Sequence, residues 1–429
     1  MTISIDRARA FWWQRQGLGA RADGSIATVI GATGWLRTLA GVDVYIAARA
    51  RVPGLSRAQL DAVVAKGELR VVPAVRGCIY LVDRGAIANL MAINAESWRE
   101  AATRDLAKIK KSLKDVEKIA PDVLRAIGKG PLTTDAIRKV VDVESFGEAG
   151  KKIGLSSPLP LALRLLELDG RIERTLEGGR LDSDRYLWRA ATPPKAGKDI
   201  ARVARIASVV SSFLTWAGPA TLSSLAAWTG LPQRDLKPAL DQLGPEAAIV
   251  DGIGEVWLRA GDRAALERAP APDGIALLAF EDNYLVNHGG LALVTDPRHQ
   301  SLDIDKWGGS SGRTVGEAKH VLSRTIVIDG LVAGLWEVDP RANGAVWHAF
   351  DPPSKALAAE LDERTHELAR FLLDELGHAR SFSLDTMADV QERADRIAKL
   401  GGGAKQVTKP VKPVKPKAIA AKTAKKKRR

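Results

Sequence analysis

The sequence has very little cysteine, and this scarcity excludes two kinds of scaffold. Cys78 is the only cysteine among 429 residues. One cysteine can form neither an internal disulfide framework nor a cysteine-based zinc site. Because free cysteine is among the most often buried residue types, we expect Cys78 to be a buried thiol in a reduced, cytoplasmic protein.

Long apolar runs and secretion signals are also missing. No run approaches the roughly 18 apolar residues that a membrane span needs. Residues 1–6 show no basic start followed by an apolar stretch, so we predict no signal peptide. The expected location is the cytoplasm, with no membrane partner.

Signatures of metal and cofactor sites are lacking as well. The six histidines do not occur in pairs with ligand spacing. The glycine-rich segment 308–313 lacks the Gly-Lys-Ser/Thr ending that a phosphate-binding loop requires. We therefore predict neither a metal nor a cofactor.

Acidic residues are absent from the last part of the chain, where basic residues concentrate. Between Lys405 and Arg429 there are eleven Lys or Arg residues and no Asp or Glu. Without them the formal net charge of +13 falls to +2, so the tail carries the basicity. Such a segment cannot bury apolar surface and is predicted to be disordered. It is suited to binding polyanions through counterion release, with a solvated solubility tail as the alternative. The predicted contacts are Lys425, Lys426, Lys427, Arg428 and Arg429.

Two short stretches of the chain repeat each other. Gly-Pro-Leu-Thr at 130–133 and Gly-Pro-Ala-Thr at 218–221 each follow an apolar helical run. Each precedes further helical runs and a short alternating stretch, and the threonine is suited to cap the next helix. A winged helix has this order: a helix, a turn, a capped helix, a further helix and a pair of strands. The repeat therefore favours a nucleic-acid partner.

The predicted fold class is α+β, with three tandem winged-helix units. The first unit spans 1–90 and includes Ser56 and Gln59 at the spacing of a capping box. A helical connector and the second unit fill 91–190, and the third unit spans 191–265.

A C-terminal antiparallel β-rich α+β domain is predicted for 266–400, followed by the tail at 401–429. A buried strand is expected at 275–280. The dipeptides Asp329-Gly330 and Asn343-Gly344 are strong hairpin turns.

Four short motifs, taken together, resemble those of the bacterial winged-helix DNA glycosylases, the family of AlkZ- and YcaQ-like proteins. They are ARARVPGL at 48–55, RGCIYLV at 76–82, WAGPAT at 216–221 and GLWE at 334–337. The resemblance covers about residues 7 to 395. It implies three winged helices that embrace double-stranded DNA, and excision of alkylated or crosslinked bases in DNA repair.

The family's catalytic motif is degenerate in this chain. Family members with this activity carry Gln-x-Gln or Gln-x-Asp just before the helix that ends in ARVPG, and Gly41 and Asp43 stand at those positions here. A carboxylate can position water and offset oxocarbenium-like charge, so Asp43 is the candidate catalytic residue. The alternative is an exposed or N-capping carboxylate at the start of the helix.

Three arginines are candidate contacts to DNA phosphates. Arg57 lies in the first turn of the helix after Ser56, Arg76 in the first wing, and Arg180 at the tip of the second wing. Arginine forms bidentate contacts to phosphate, although each could also be an ordinary surface side chain.

The aromatic run Phe11-Trp12-Trp13 has two interpretations. Aromatic faces accept flipped bases, but packing against the first unit is favoured, with at least one ring left exposed because three adjacent residues cannot share one helix face.

The sequence therefore supports two functions from different classes. One is a monofunctional DNA glycosylase, and the other is a non-enzymatic regulatory or architectural DNA-binding protein. A protein-interaction scaffold is a third possibility, which the basic tail disfavours.

Overall fold

The computed structural model describes residues 2–19, 23–183, 185–192, 200–304, 314–320 and 323–400. These residues form a mixed α+β structure with small, largely antiparallel sheets. Within these ranges, no helix combines the length and apolarity that crossing a bilayer demands. The predicted basic tail, with Lys425, Lys426, Lys427, Arg428 and Arg429, lies outside the described residues.

The first unit begins with the N-terminal strand and helix of the chain. Its elements are β1 (Thr2–Ile3), α1 (Ile5–Arg15), α2 (Ile26–Thr33), β2 (Leu36–Arg37), α3 (Asp43–Arg51), α4 (Arg57–Ala65), β3 (Leu69–Pro73) and β4 (Ile79–Asp83). Strands β2, β4 and β3 form an antiparallel sheet in that order. Ser56 and Gln59 make the predicted capping box at the start of α4.

The second unit repeats the order of helices and strands. Its elements are α5 (Ile87–Lys108), α6 (Leu113–Glu117), α7 (Ala120–Ile127), β5 (Leu132–Thr133), α8 (Thr134–Val140), α9 (Gly147–Lys152), α10 (Pro158–Leu168), β6 (Ile172–Leu176) and β7 (Tyr186–Ala190). Its sheet has the order β5-β7-β6, which matches the order in the first unit. Thr133 caps α8 by accepting a hydrogen bond from the Ala136 amide, as the repeat predicts.

The third unit completes its sheet with a strand from the start of the chain. Its elements are α11 (Arg202–Ala217), α12 (Leu222–Thr229), α13 (Gln233–Leu243), β8 (Glu246–Val250) and β9 (Gly254–Leu258). Strand β1 pairs in parallel with β8, so the sheet order is β1-β8-β9. Thr221 caps α12 through the Ser224 amide, again as predicted.

A four-stranded antiparallel sheet follows the short helix α14 (Arg263–Glu267). The remaining elements are β10 (Ile275–Leu278), α15 (Asn283–Val286), β11 (Arg324–Ile328), β12 (Leu331–Asp339), β13 (Gly344–Ala349), α16 (Lys355–Phe371), with a π-helical turn at Leu372–Leu376, and α17 (Met387–Leu400). The sheet order is β10-β11-β12-β13. Asp329 and Gly330 both have positive φ between β11 and β12, as the predicted two-residue hairpin turn requires.

The hydrophobic cores cross the predicted boundaries between units. Leu60 of the first unit shares a core with Trp336 and Phe371 of the C-terminal sheet and helices. The second unit differs, because Ile137, Trp188 and their neighbours form a core within that unit. The junction between the first unit and the C-terminal sheet is therefore a packed interior, and it holds most of the ionic groups considered next.

Cys78 is half-buried, so the expectation of a fully buried thiol is wrong. It lies just before β4, at the end of the turn that joins β3 to β4.

Candidate active site and nucleic-acid interface

Asp43 lies at the first residue of α3 and points into the protein. Only 6% of the residue is exposed. Its Oδ2 accepts a hydrogen bond from the Phe280 amide at 3.2 Å, and its Oδ1 accepts from Arg324 Nε at 3.0 Å and Nη2 at 2.7 Å. The N-cap of α3 is Val42, with no side-chain cap, so the alternative of an exposed or capping carboxylate is wrong. Both oxygens of Asp43 are instead occupied by internal donors.

Arg324 extends this contact into a buried chain of ion pairs, here called the Asp43 network. It comprises Asp43, Arg324, Glu337, Arg393 and Asp385, each no more than 6% exposed. Arg324 pairs with Glu337, whose other oxygen accepts from Arg393 Nε at 2.8 Å. Arg393 then holds Asp385 through two hydrogen bonds of 2.9 and 2.8 Å. The Arg324 guanidinium also donates to Ala379 O at 2.8 Å and to Ser381 Oγ at 3.1 Å.

The charges of the Asp43 network do not balance. Three carboxylates face two guanidiniums, which leaves one negative charge in excess inside the protein. Burial raises the pKa of the Asp43 carboxyl from 3.8 to about 6, because Arg324 offsets only part of the cost of removing the charge from water. The imbalance and the burial both favour a proton on this network in mildly acidic solution.

Gly41, the position at which the resemblance implies a glutamine, has no room for a side chain. A Cβ atom on Gly41 would lie 2.2 Å from the carbonyl carbon and oxygen of Ser381 and 2.5 Å from Arg380 O. The Val42 amide donates to that same Arg380 oxygen at 2.8 Å. Because the backbone at 380–381 occupies this space, glycine at 41 is required by packing.

A second buried carboxylate with charged or polar partners, that of Glu281, lies one residue after Phe280. Glu281 has a φ of +59°, in the left-handed region that a non-glycine residue seldom adopts. Its buried carboxylate accepts from Arg37 Nη1 at 2.7 Å and lies 2.8 and 3.0 Å from His320 Nδ1. The His320 side chain is 34% exposed, whereas that of Glu281 is 2% exposed. This Glu281–His320 pair therefore joins the interior to the surface, and no sequence signal indicated it.

Arg76 lies close to this pair, at the junction of the first and third units. It is exposed, has a φ of +57°, and donates to Ala227 O at 3.3 Å and to the Tyr80 hydroxyl at 3.5 Å. Tyr80 is the cross-strand partner of Arg37, and Glu281 acts electrostatically on Arg76. The structure thus brings one predicted phosphate contact beside Glu281.

Arg57 and Arg180 both contact the segment that follows α16, and neither contacts the Glu281–His320 pair. The Arg57 amide donates to Glu375 at 2.8 Å, and Arg180 Nη2 donates to Leu376 O at 2.5 Å. Arg180 also pairs with the buried Asp182. Both arginine side chains are 33% exposed, so a part of each guanidinium remains accessible.

A charged cleft lies between the first and second units and was missed by the sequence analysis. It encloses about 490 Å³ and carries more cations than anions. Its charged lining consists of Lys66, Arg70, Arg84, Arg174 and Arg189, with Asp61 and Glu173. Arg70 and Arg189 share Glu173, whereas Arg84 has no ion pair within the described ranges. The cation excess depends on strands β3 and β6 lying side by side, which the sequence does not reveal.

The aromatic residues of α1 are all buried. Phe11, Trp12 and Trp13 are each no more than 2% exposed, and Trp12 stacks on His288 with ring centroids 3.8 Å apart. The run packs in a core as expected, although against the third unit and the C-terminal sheet rather than against the first unit. The expectation of an exposed ring is wrong. It fails because α1 is enclosed by the third unit on one side and the C-terminal sheet on the other, so these rings are not available to a flipped base.

In the described part of the chain, no three His, Cys, Asp or Glu side chains come together in a group that could hold a metal ion.

Two comparisons with known proteins both find AlkZ-like proteins. The family model described as DNA glycosylase AlkZ-like matches residues 41–371. Among solved structures, the DNA glycosylase AlkZ of Streptomyces sahachiroi is similar, with a TM-score of 0.65 and 19% identity; the match covers 89% of this chain and 99% of that one. At this identity the likeness concerns the fold alone. No curated protein matches the chain.

Proposed function

The chain belongs to the AlkZ-like DNA glycosylase family, and from that premise we propose that it binds duplex DNA and hydrolyses the N-glycosidic bond of an alkylated base. The observation that carries the proposal is the extent of the family match. Residues 41–371 include the larger part of the first unit, the charged cleft and most of the C-terminal sheet and helices, so the match covers Asp43, Glu281, His320 and the three candidate arginines.

The proposed DNA-binding body consists of three winged helices. Two observations support this assignment for the first two units: each has helices followed by a hairpin, and each places its last strand in the centre of a three-stranded sheet. The third unit has the same helices and hairpin, with β1 as its additional strand.

The proposed phosphate contacts are Arg57, Arg76 and Arg180, together with the cations of the charged cleft. Arginine suits this role because its guanidinium offers paired donors to phosphate oxygens. Lys66 and Arg84 are the cleft residues best placed to gain a partner, since both are exposed and neither has an ion pair within the described ranges.

The basic tail adds a sequence-independent attraction to this proposal. Eleven cations in 405–429 would release counterions on binding DNA, which makes affinity fall with salt. Deletion of residues 402–429 is expected to flatten the slope of log affinity against log salt. An unchanged slope would remove the tail, including Lys425–Arg429, from the binding surface.

The activity is tested with duplexes that each carry one alkylated base. Incubation with the protein is expected to release the base and leave an abasic site, which is counted by strand cleavage in alkali. A matched undamaged duplex and a reaction without protein give the background. Absence of product above background from every lesion tested would contradict the enzymatic proposal.

A second candidate function is DNA binding without catalysis. It is favoured by one observation: Gly41 has no space for the family's glutamine, and both oxygens of Asp43 are held by internal donors. Asp43 is also only 6% exposed, so water has little access to its remaining acceptor site. Tight binding of duplex DNA with no abasic product would establish this second candidate.

A further inference from the structure

We infer that the Glu281–His320 pair, rather than Asp43, activates the water that attacks the sugar. His320 is the general base in this inference, and Glu281 positions it. The inference rests on the proposed function and specifies which groups perform its chemistry.

The geometry of the pair sets the orientation of the imidazole. His320 Nδ1 lies within hydrogen-bond distance of both Glu281 oxygens, and a carboxylate can only accept. Nδ1 therefore carries the proton, and the lone pair of the neutral ring is on Nε2. Across the described ranges Nε2 has no hydrogen-bond partner, and the side chain is one-third exposed. A buried carboxylate behind an accessible imidazole is the arrangement of a positioned general base.

The backbone at Glu281 is strained and is held from both sides. A non-glycine residue in the left-handed region is unfavourable, and such residues persist where the surroundings fix them. On one side, the Phe280 amide is held by Asp43. On the other, Asp282 forms two hydrogen bonds, of 2.7 and 2.8 Å, with the fully buried Arg51. The Asp43 network thus acts as a support for the segment that presents Glu281.

The pair also lies where the family motif would be. Arg37, which donates to Glu281, precedes Gly41 by four residues, and Phe280, which donates to Asp43, adjoins Glu281. Arg76 is the nearby exposed cation, suited to a phosphate of the bound strand. The proposed water-activating pair and this candidate phosphate contact therefore lie within electrostatic range of each other.

The chemical step balances with water alone. Water attacks C1′ of the deoxyribose while the bond from C1′ to the base nitrogen breaks. The electron pair of that bond leaves with the base, and a water proton moves to His320 Nε2. Glu281 then stabilises the resulting imidazolium. A base that carries a positive charge from N-alkylation leaves as a neutral molecule, so it needs no proton from the protein. The substrate class implied is a cationic N-alkylated base.

The test uses His320→Gly in the full chain, with added imidazole. The substrate is a duplex with one N7-alkylguanine, and abasic sites are counted in a single turnover with protein in excess. We expect a loss of about 100-fold or more, the usual contribution of a general base, and partial recovery when imidazole occupies the vacated space. The matched control is His299→Gly, since His299 also pairs with a carboxylate, Asp351, at 3.2 Å. The control is expected to keep full activity and to gain nothing from imidazole.

Glu281→Gln provides a second variant that preserves shape. It is expected to slow base release without changing the dissociation constant for DNA. Full activity of folded His320→Gly, or a loss that imidazole does not recover, would overturn the inference and leave the proposed function intact. Absence of base release by the unaltered chain would overturn both.

Discussion

The Asp43 network and the Glu281–His320 pair both contain buried carboxylates, and Phe280 connects them. They differ in whether their side chains reach solvent. The Asp43 network is closed, because each carboxylate in it is met by an internal donor. The Glu281–His320 pair is open, because it terminates in an imidazole that is one-third exposed. The contrast makes the solvent-reaching pair, rather than the enclosed Asp43, the candidate for activating water.

The two clusters also differ in what they contribute to stability. Removing one partner from a fully buried ion pair leaves an uncompensated charge in the interior and costs about 3–5 kcal/mol. Ion pairs that solvent reaches contribute about 1 kcal/mol or less. Mutations in the Asp43 network should therefore lower stability, whereas mutations in the Glu281–His320 pair should lower activity.

The largest effect is expected for Arg324→Met. This change leaves Asp43 and Glu337 buried without their shared guanidinium, so the free energy of unfolding should fall by about 3–5 kcal/mol. Urea denaturation monitored by tryptophan fluorescence and circular dichroism measures it. Arg341→Met is the control, since Arg341 pairs with Asp395 on the surface and is 66% exposed. Equal losses in the two variants would show that the Asp43 network is not a closed interior cluster.

Restoring the family's glutamine should destabilise the protein without restoring its motif. In Gly41→Gln the new Cβ would contact the backbone at 380–381, and overpacking of this kind costs about 1–3 kcal/mol. The same urea titration measures the loss. Gly85→Gln is the control, because a Cβ there meets only the flexible Asp83 side chain, at 3.2 Å. A Gly41→Gln protein of undiminished stability would contradict the packing described for this position.

The pH dependence of stability should reveal the proton on Asp43. The folded pKa of Asp43, about 6, lies above its ordinary value of 3.8, so the folded state holds this proton where the unfolded state has lost it. The contribution of Asp43 is thus fully present below about pH 4 and is lost as pH rises to about 6, by at most about 1.4 kcal/mol per pH unit. Asp43→Asn should remove this component from unfolding measured at a series of pH values. A component that instead grows with pH in this window would mean that Asp43 is ionised throughout.

The smallest effect on stability is expected for His320→Gln. Because the pair reaches solvent, its loss should lower the free energy of unfolding by less than about 1 kcal/mol. Thermal and urea unfolding beside His299→Gln measure the difference. A loss as large as that of Arg324→Met would assign His320 to the structural framework and would remove the contrast between the two clusters.

Local features of the fold were predictable from the sequence because they depend on near neighbours. The threonine caps at 133 and 221, the capping box at Ser56 and the hairpin turn at Asp329-Gly330 each involve residues only a few positions apart. The order of helices and hairpins followed from these signals. The matched family agrees with the one that four dispersed motifs indicated.

The candidate site was less predictable because its contacts join distant parts of the chain. Arg324 lies 281 residues from Asp43, and His320 lies 39 residues from Glu281. The sequence marked Asp43 as chemically suitable but contained no sign that the backbone at 380–381 fills the space beside Gly41. The parallel pairing of β1 with β8 was missed for the same reason.

The most direct test of the account is base release by Asp43→Asn, expressed per folded molecule. Asparagine keeps one acceptor oxygen, which can still accept from Arg324, whereas its NH2 group cannot accept from the Phe280 amide. The support of Glu281 should therefore weaken on this side only, because Arg51 still holds Asp282 on the other. The account predicts base release within about tenfold of the unaltered chain, well short of the loss expected when a general base is removed. A folded Asp43→Asn protein that binds damaged DNA normally and releases no base would contradict it.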